Sequence, residues 1–296
     1  MHDGTRRRVP ARRDAGPALK ARVSAVSGAV GLEPRRDAVA AAPLVAVRDV
    51  SVRFGGVVAL DRVSFAIRTG ELLGLIGPNG AGKTTLFNCM SRLYTPKEGD
   101  IVFEGRSILT LPPHRIAAIG IGRTFQNLAL FRSMSVLDNI QVGSHRLGGS
   151  DFLSNALQLP WTGREERRLR DVTAELVDFL DLREVAQRLV SDLPFGVQKR
   201  VELARALAAQ PKLLLLDEPA GGLNHDEVAE LGRLIRRIRD ERRVTVLLVE
   251  HHMNLVMSIC DRVVALDFGR KIAEGTPAEV QRNDDVIRAY LGTTKT

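Results

Sequence analysis

The spacing of hydrophobic residues separates a strand-rich opening from a later alternation of buried strands and helices. From residue 44 onward, apolar side chains alternate with polar ones over residues 45–52 and again over residues 63–67. A period of two is typical of strands that bury one face. We therefore predict that the folded part of the chain begins with an antiparallel β region.

Three later runs are almost entirely apolar, at residues 72–76, 213–216 and 244–249, with Thr245 as the one polar residue. Continuous apolar runs of this length are typical of strands buried on both faces of a parallel sheet. A helical pattern follows the first run at residues 86–93, and helical segments precede the other two. This alternation of strands and helices predicts an α/β fold with a mainly parallel sheet.

The long stretch between the first two apolar runs contains a charged, helix-like section at about residues 136–188. Its apolar residues recur at helical spacing, as at Val172, Leu176 and Phe179, and we interpret it as part of an inserted helical subdomain. Towards the end of the chain, residues 262–273 resemble a β-hairpin. Residues 277–291 resemble a final helix that begins with a proline, where a missing N–H costs least.

Composition limits the classes of protein to which the chain can belong. With 296 residues, 44% of them hydrophobic, the chain is long enough for one large globular domain or two closely joined ones. No apolar run approaches the ~20 residues needed to cross a bilayer, so we expect no membrane-spanning segment. Two cysteines, Cys89 and Cys260, are too few for a disulfide framework, and we expect inert thiols in a reducing compartment.

The net charge of +8 is concentrated near the start of the chain. Residues 1–43 hold nine basic and four acidic residues and show no apolar period. We expect this segment to be a disordered, solvated tail. The alternative is an electrostatic contact with anionic lipid or nucleic acid.

The segment after the first apolar run fits the phosphate-loop pattern G-x-x-x-x-G-K-[ST] at every fixed position. Its glycines allow the backbone to wrap a phosphate, and its amides and the following helix N-terminus stabilise negative charge. We expect Lys83 to reach the β and γ phosphates and the Thr84 hydroxyl to bind Mg²⁺. A glycine-rich turn with a surface lysine is the alternative. The residues predicted to bind nucleotide here are Gly77, Pro78, Asn79, Gly80, Ala81, Gly82, Lys83, Thr84 and Thr85.

Two adjacent carboxylates follow the second apolar run. Asp217 and Glu218 stand at the carboxyl end of a predicted strand, where α/β sheets place their ligands. Asp217 is suited to hold Mg²⁺, and Glu218 is suited to polarise or position an attacking water. Together with a complete phosphate loop, these acids favour a nucleoside triphosphatase over two solvated acids before a turn.

At five further places, in the same order and spacing, the chain resembles the ABC transporter ATPases. The resemblance implies that Phe54 stacks on adenine and that Gln126 binds Mg²⁺ and relays the nucleotide state to a membrane partner. It also implies that His251 is a switch histidine at the γ-phosphate. Residues 220–224 match the dimer-contact loop, and residues 193–200 match the signature segment. The residues expected to carry catalysis are Glu218, His251, Gln126 and Lys83, and those expected to hold the metal are Thr84, Gln126 and Asp217.

The signature segment departs from the family's usual Leu-Ser-Gly-Gly-Gln. Pro194 replaces the serine, Phe195 the first glycine and Val197 the glutamine. In the family this segment meets the γ-phosphate of the opposite subunit. Proline supplies neither a hydroxyl nor an N–H, so we expect the Gly196 backbone and the helix dipole to provide the remaining contact. Asn224 stands where an aspartate is common, which puts in doubt any inter-subunit role that needs a carboxylate.

Three stretches, together with Leu-Pro-Phe-Gly in the signature, resemble the branch that powers uptake of branched-chain amino acids: residues 123–132, 219–224 and 274–292. Residues 146–171 also match an insertion typical of that branch. The resemblance implies a P-loop nucleotide hydrolase that uses ATP and Mg²⁺ at the cytoplasmic face of the inner or plasma membrane. Its implied partners are a second ATP-binding subunit, identical or related, two membrane-spanning permease subunits and, indirectly, a substrate-binding protein.

The predicted organisation is a basic tail over residues 1–43, an ABC ATP-binding domain over residues 44–276 with its helical subdomain at about 127–210, and a C-terminal helical extension over residues 277–296. Three other functions stay open: import of urea or similar amides, lipid export, and a soluble ABC ATPase acting on nucleic acid. Soluble ABC ATPases usually carry two nucleotide units or a long coiled-coil insertion. Neither pattern occurs here, so we expect no nucleic-acid partner.

Overall fold

The structure is a computed structural model that describes residues 42–124, 128–144 and 162–291. Those residues form ten strands and eight α-helices. Nearly all of the predicted tail and part of the predicted insertion lie outside the described residues, and so does Gln126.

The predicted antiparallel β region is confirmed as a four-stranded sheet in the order β2-β1-β4-β5. Its strands are β1 (Val45–Phe54), β2 (Val57–Ile67), β4 (Glu98–Phe103) and β5 (Arg106–Ser107). The buried positions of β1 change phase between Val47 and Val50, where the pairing with β2 shifts its register and Asp49 has a φ of 48°. This bulge explains why the apolar residues move from odd to even positions along one strand.

The predicted parallel sheet is also confirmed, with six strands in the order β10-β9-β3-β8-β7-β6. All neighbours are parallel except the final hairpin of β9 and β10. The strands are β3 (Leu72–Ile76), β6 (Ile121–Arg123), β7 (Leu213–Asp217), β8 (Thr245–Val249), β9 (Arg262–Asp267) and β10 (Arg270–Gly275).

The helices are α1 (Lys83–Met90), α2 (Val136–Ser144), α3 (Thr162–Phe179), α4 (Phe195–Ala208), α5 (His225–Arg242), α6 (Met253–Ile259), α7 (Pro277–Gln281) and α8 (Asp284–Leu291). The first helix begins at Lys83, earlier than its apolar pattern predicts, because the phosphate loop leads directly into it. The single final helix predicted from the sequence is two helices, α7 and α8. Within the described part of the chain, no helix is both long and apolar enough to cross a bilayer.

The six-stranded sheet lies between two hydrophobic clusters. Leu73 and Leu75 of β3 pack with the antiparallel sheet and α1, whereas Leu72 and Ile76 pack with helices on the other face. Gly74 faces the helical side so closely that an added Cβ would lie 2.8 Å from Val256 Cγ1. Since β3, β7 and β8 are parallel neighbours, their carboxyl ends meet at one edge of the sheet.

Candidate nucleotide-binding site

The phosphate loop, residues 77–84, connects β3 to α1 in a conformation that requires glycine at two points. Gly77 has a φ of 152°, and a Cβ there would lie 2.2 Å from the Leu266 carbonyl oxygen. Gly82 has a φ of 101°, and a Cβ there would lie 2.5 Å from the Ala59 carbonyl oxygen. Gly82 is also the N-cap of α1, which no described side chain caps. The amides of the first helical turn are therefore suited to an external anion.

Lys83 is buried and folds back over the loop. Its Nζ donates hydrogen bonds to the carbonyl oxygens of Gly77 at 2.6 Å and Pro78 at 3.0 Å. Burial lowers the pKa of Lys83 below its ordinary value, and the negative charges of Glu218 and Asp217 oppose that change. The structure therefore brings the loop lysine into the electrostatic field of both predicted acids.

Asp217 ends β7 and is almost fully buried. Its Oδ2 accepts a hydrogen bond from Arg123 Nη2 at 3.0 Å, and its backbone amide donates to Thr124 Oγ1 at 3.4 Å. The other end of the guanidinium binds α1 and the residue after it, through Asn88 Oδ1 at 2.8 Å and Ser91 Oγ at 3.1 Å. Burial raises the pKa of Asp217, and the charge of Arg123 opposes the rise. In the sequence, Arg123 is part of the stretch 123–132 that resembles the branched-chain branch, and no role was predicted for it.

Glu218 and His251 meet across the ends of two neighbouring strands. His251 Nε2 lies 2.6 Å from Glu218 Oε1. This contact arises because Asp217 of β7 is in register with Val249 of β8, and the backbone amide of Glu218 donates to the Val249 carbonyl at 2.9 Å. Glu218 has a φ of 49°, a conformation that is uncommon for a residue with a side chain and is often found at functional sites.

Three predicted nucleotide contacts, Phe54, Thr84 and Thr85, are exposed or half-buried. Phe54 ends β1 with 46% of its surface exposed and packs edge-on against Tyr94, with 5.2 Å between ring centroids. Thr84 is exposed in the first turn of α1, and Thr85 beside it is half-buried. Because the Phe54 ring is half exposed, its stacking on a base stays a prediction.

The signature residues form the start of α4. Pro194 is the N-cap of that helix, and no described side chain caps it. The Phe195 ring packs against Gly222, where an added Cβ would lie 3.0 Å from Phe195 Cε1. No hydrogen bond among the described residues joins Pro194, Phe195, Gly196 or Val197 to the phosphate loop. Asn224 forms a capping box at the start of α5, accepting from the Glu227 amide at 3.0 Å.

Two further residues at the site were missed by sequence reasoning. Glu250 follows β8 directly, and its buried carboxylate accepts backbone amides from two loops. Tyr290, in α8, accepts a hydrogen bond from the Gly77 amide at 2.8 Å. The sequence offered a weak signal for Glu250, an acid next to the switch histidine. For Tyr290 it offered only membership of the stretch 274–292, and its partner is 213 residues away.

The strand ends of this P-loop fold bring together a loop lysine, two acids and a histidine, an arrangement expected of an ATP-binding cassette. Comparison with known families agrees: residues 60–221 match the ABC transporter model, and residues 270–295 match the model described as branched-chain amino acid ATP-binding cassette transporter. The chain belongs to the ABC transporter family, as an ATP-binding subunit with ATPase activity. The predicted family and fold class are thereby confirmed.

The chain aligns with known transport proteins over nearly the whole length of those proteins. The high-affinity branched-chain amino acid transport ATP-binding protein BraF of Pseudomonas aeruginosa is 43% identical over 84% of this chain and 98% of its own. LivG of Escherichia coli K12, with the same description, is 42% identical over the same shares. Among solved structures, the ADP conformation of an ATP-binding cassette of an ABC transporter is similar with a TM-score of 0.74 and 29% identity, over 85% of this chain and 99% of that one.

Proposed function

We propose that this chain hydrolyses ATP to drive an importer of branched-chain amino acids. The observation that carries the proposal is the convergence of Lys83, Asp217, Glu218 and His251 at one edge of the parallel sheet. The choice of solute is supported by the family match over residues 270–295 and by the names of BraF and LivG. Import of urea or similar amides and lipid export are the competing transport functions.

The residues of this site have distinct tasks in hydrolysis. The loop amides and Lys83 bind the phosphates of ATP, because the start of α1 carries positive partial charge and Lys83 supplies an ammonium group in the same loop. Glu218 orients the attacking water or accepts its proton. His251 holds the Glu218 carboxylate through the 2.6 Å contact. We expect it also to contact the γ-phosphate during the reaction, as the family resemblance implies.

The residues present suit Mg²⁺. Asp217 is a buried carboxylate near the loop lysine, and the Thr84 hydroxyl is exposed at the start of α1. One carboxylate and one hydroxyl are typical of Mg²⁺ sites that are completed by phosphate oxygens and water. Gln126 is the third proposed ligand and lies outside the described residues. When bound, the ion supplies positive charge that neutralises the phosphate oxygens.

Two such subunits, identical or related, bind two ATP molecules between the phosphate loop of one and residues 194–197 of the other. The uncapped start of α4 suits this task, because a helix N-terminus attracts the γ-phosphate even where Pro194 offers no hydroxyl. Since each half completes the other's site, ATP binding closes the pair and hydrolysis reopens it.

The proposed contact surface for the membrane partner lies beside α2. A cavity of about 540 Å³ lies there, lined by residues of β6, α2 and α4 together with Phe131. Phe131 is 49% exposed and Met134 is 37% exposed, so they offer apolar side chains to a short cytoplasmic helix. They belong to the proposed contact segment, residues 127–139, of which the structure describes 128–139. The proposed complex has two permease subunits and a substrate-binding protein, with this chain peripheral at the cytoplasmic face.

The test compares wild-type protein with Glu218→Gln. We expect magnesium-dependent ATP hydrolysis in the wild type and a loss of about 10²–10⁴-fold in turnover in the variant, with ATP binding kept. The variant should also accumulate an ATP-bound dimer on size-exclusion chromatography. Glu241→Gln, at the exposed far end of α5, is the matched control and should hydrolyse normally. Absence of hydrolysis in wild-type protein reconstituted with its permeases would refute the proposal.

A further inference from the structure

Glu250 is a buried acid that joins two loops of the catalytic site. Its side chain is 1% exposed. Oε1 accepts the Ala220 amide at 2.6 Å, and Oε2 accepts the His251 amide at 3.0 Å and the His252 amide at 3.4 Å. One carboxylate therefore ties the loop after Glu218 to the loop that carries the switch histidine.

These hydrogen bonds constrain the two loops more strongly than ordinary turns would. Burying a carboxylate is costly unless its oxygens accept hydrogen bonds, and hydrogen bonds to a charged acceptor are about twice as strong as neutral ones. Ala220 lies two residues after Glu218, and His251 follows Glu250 directly. The separation of the two anchored amides therefore sets where the side chains of Glu218 and His251 begin.

We propose that Glu250 is a positioning residue, which holds the 2.6 Å contact between His251 and Glu218 by binding the backbone of both loops. This inference rests on the proposed function, because that contact matters only if Glu218 serves hydrolysis. Glu250 touches neither the phosphate loop nor Lys83 among the contacts of the described residues. Its removal should therefore alter turnover and spare ATP affinity.

The test measures kcat and KM for ATP in Glu250→Gln and Glu250→Asp. The glutamine variant replaces one acceptor by a donor that faces an amide, and the aspartate is too short to reach both loops. We expect kcat to fall about tenfold or more in each, with KM changed less than about threefold. Glu71→Gln is the matched control: Glu71 is also buried and accepts from Arg68 and Arg262, but it precedes β3 at the opposite end of the strand. It should lower the melting temperature and leave kcat unchanged.

A double-mutant cycle with His251→Ala separates positioning from general loss of structure. If Glu250 acts through His251, the Glu250→Gln change should slow the His251→Ala enzyme by less than about twofold. Unchanged kcat in both Glu250 variants, or multiplicative effects in the cycle, would overturn the inference. Failure of the wild-type protein to hydrolyse ATP would instead overturn the proposed function.

A separate observation concerns α8, which lies within the segment matched to the branched-chain amino acid family. The Tyr290 hydroxyl accepts the Gly77 amide at 2.8 Å, where β3 passes into the phosphate loop. Gly77 is enclosed by the Leu266 carbonyl, and α8 is anchored in the core through Val286. We infer that α8 is part of the nucleotide site and that Tyr290 positions the start of the loop for binding.

This second inference predicts weaker nucleotide binding with kcat unchanged, which is the reverse of the pattern expected for the Glu250 variants. Tyr290→Phe removes the acceptor from a buried amide, and we expect ADP affinity by calorimetry to fall about fivefold and KM for ATP to rise equally, with kcat unchanged. Hydrogen exchange of a peptide covering residues 72–80 should quicken in the same variant. Leu291→Ala, at an 80% exposed neighbour, is the control and should bind normally. Wild-type affinity and exchange in Tyr290→Phe would overturn the inference, whether or not the wild type hydrolyses ATP.

Discussion

Replacing Gly82 with alanine tests how closely the phosphate loop packs against β2. A left-handed backbone costs an alanine about 1–2 kcal/mol, and Gly82 has a φ of 101°. The added Cβ would also lie 2.5 Å from the Ala59 carbonyl oxygen and 2.8 Å from Leu60 Cδ2, contacts that no rotamer change of the alanine can relieve. Overpacking of this kind adds about 1–3 kcal/mol, so we expect the unfolding free energy to fall by about 2–5 kcal/mol.

Gly105→Ala provides the matched control. Gly105 has a similar φ of 78°, but nothing lies within 4 Å of its added Cβ, and it sits in the turn between β4 and β5. The Gly105→Ala variant should lose only about 1–2 kcal/mol of unfolding free energy, from the left-handed backbone, and its ATP affinity should be unchanged.

The assay is urea unfolding of nucleotide-free protein, followed by ATP titration. The strain at Gly82 is relieved only by moving the loop away from β2, which carries Lys83 with it, so affinity should fall about tenfold or more. If Gly82→Ala matched Gly105→Ala in both measurements, the close packing described for this loop would be refuted.

Three other predictions concern the thiols, the ion pair and the tail. Burial raises the pKa of Cys89 from 9.0 to about 12 and also raises that of Cys260, so the unfolded chain ionises first and stability should fall as the pH rises above 9.0. Replacing both by alanine should reduce that decline by about 1.4 kcal/mol per thiol between pH 8 and pH 10, measured by urea unfolding at the two pH values; an equal decline would contradict the assignment. Arg123→Met leaves Asp217 buried without its ion-pair partner and should lower the unfolding free energy by about 3 kcal/mol. In the double variant, Asp217→Asn should restore part of that loss, whereas additive losses would count against the ion pair. Deleting residues 1–43 should leave ATPase activity intact, and a collapse of activity would assign that segment a structural role.

Local features of the site were predictable from the sequence. The apolar run at residues 72–76 is β3 with the same bounds, and the glycine-rich segment after it leads into α1 as its pattern requires. These features depend on neighbours in the chain, because backbone freedom at glycine and burial of a short apolar strand are decided within a few residues. The order of strands along the sheet does not follow from such local features, because each crossover joins elements that are distant in sequence.

Tertiary structure alone decided which groups face one another. The pairing of Arg123 with Asp217, the binding of the Ala220 amide by Glu250 and the contact of Tyr290 with Gly77 all join segments whose separation carries no periodic signal. Hydrophobic spacing specifies which face of an element is buried, but not which polar side chain another element brings to its end. By itself the sequence determined the loop, the apolar strands β3, β7 and β8 and the acids, and the packing of the strand ends and of α8 determined how they are held.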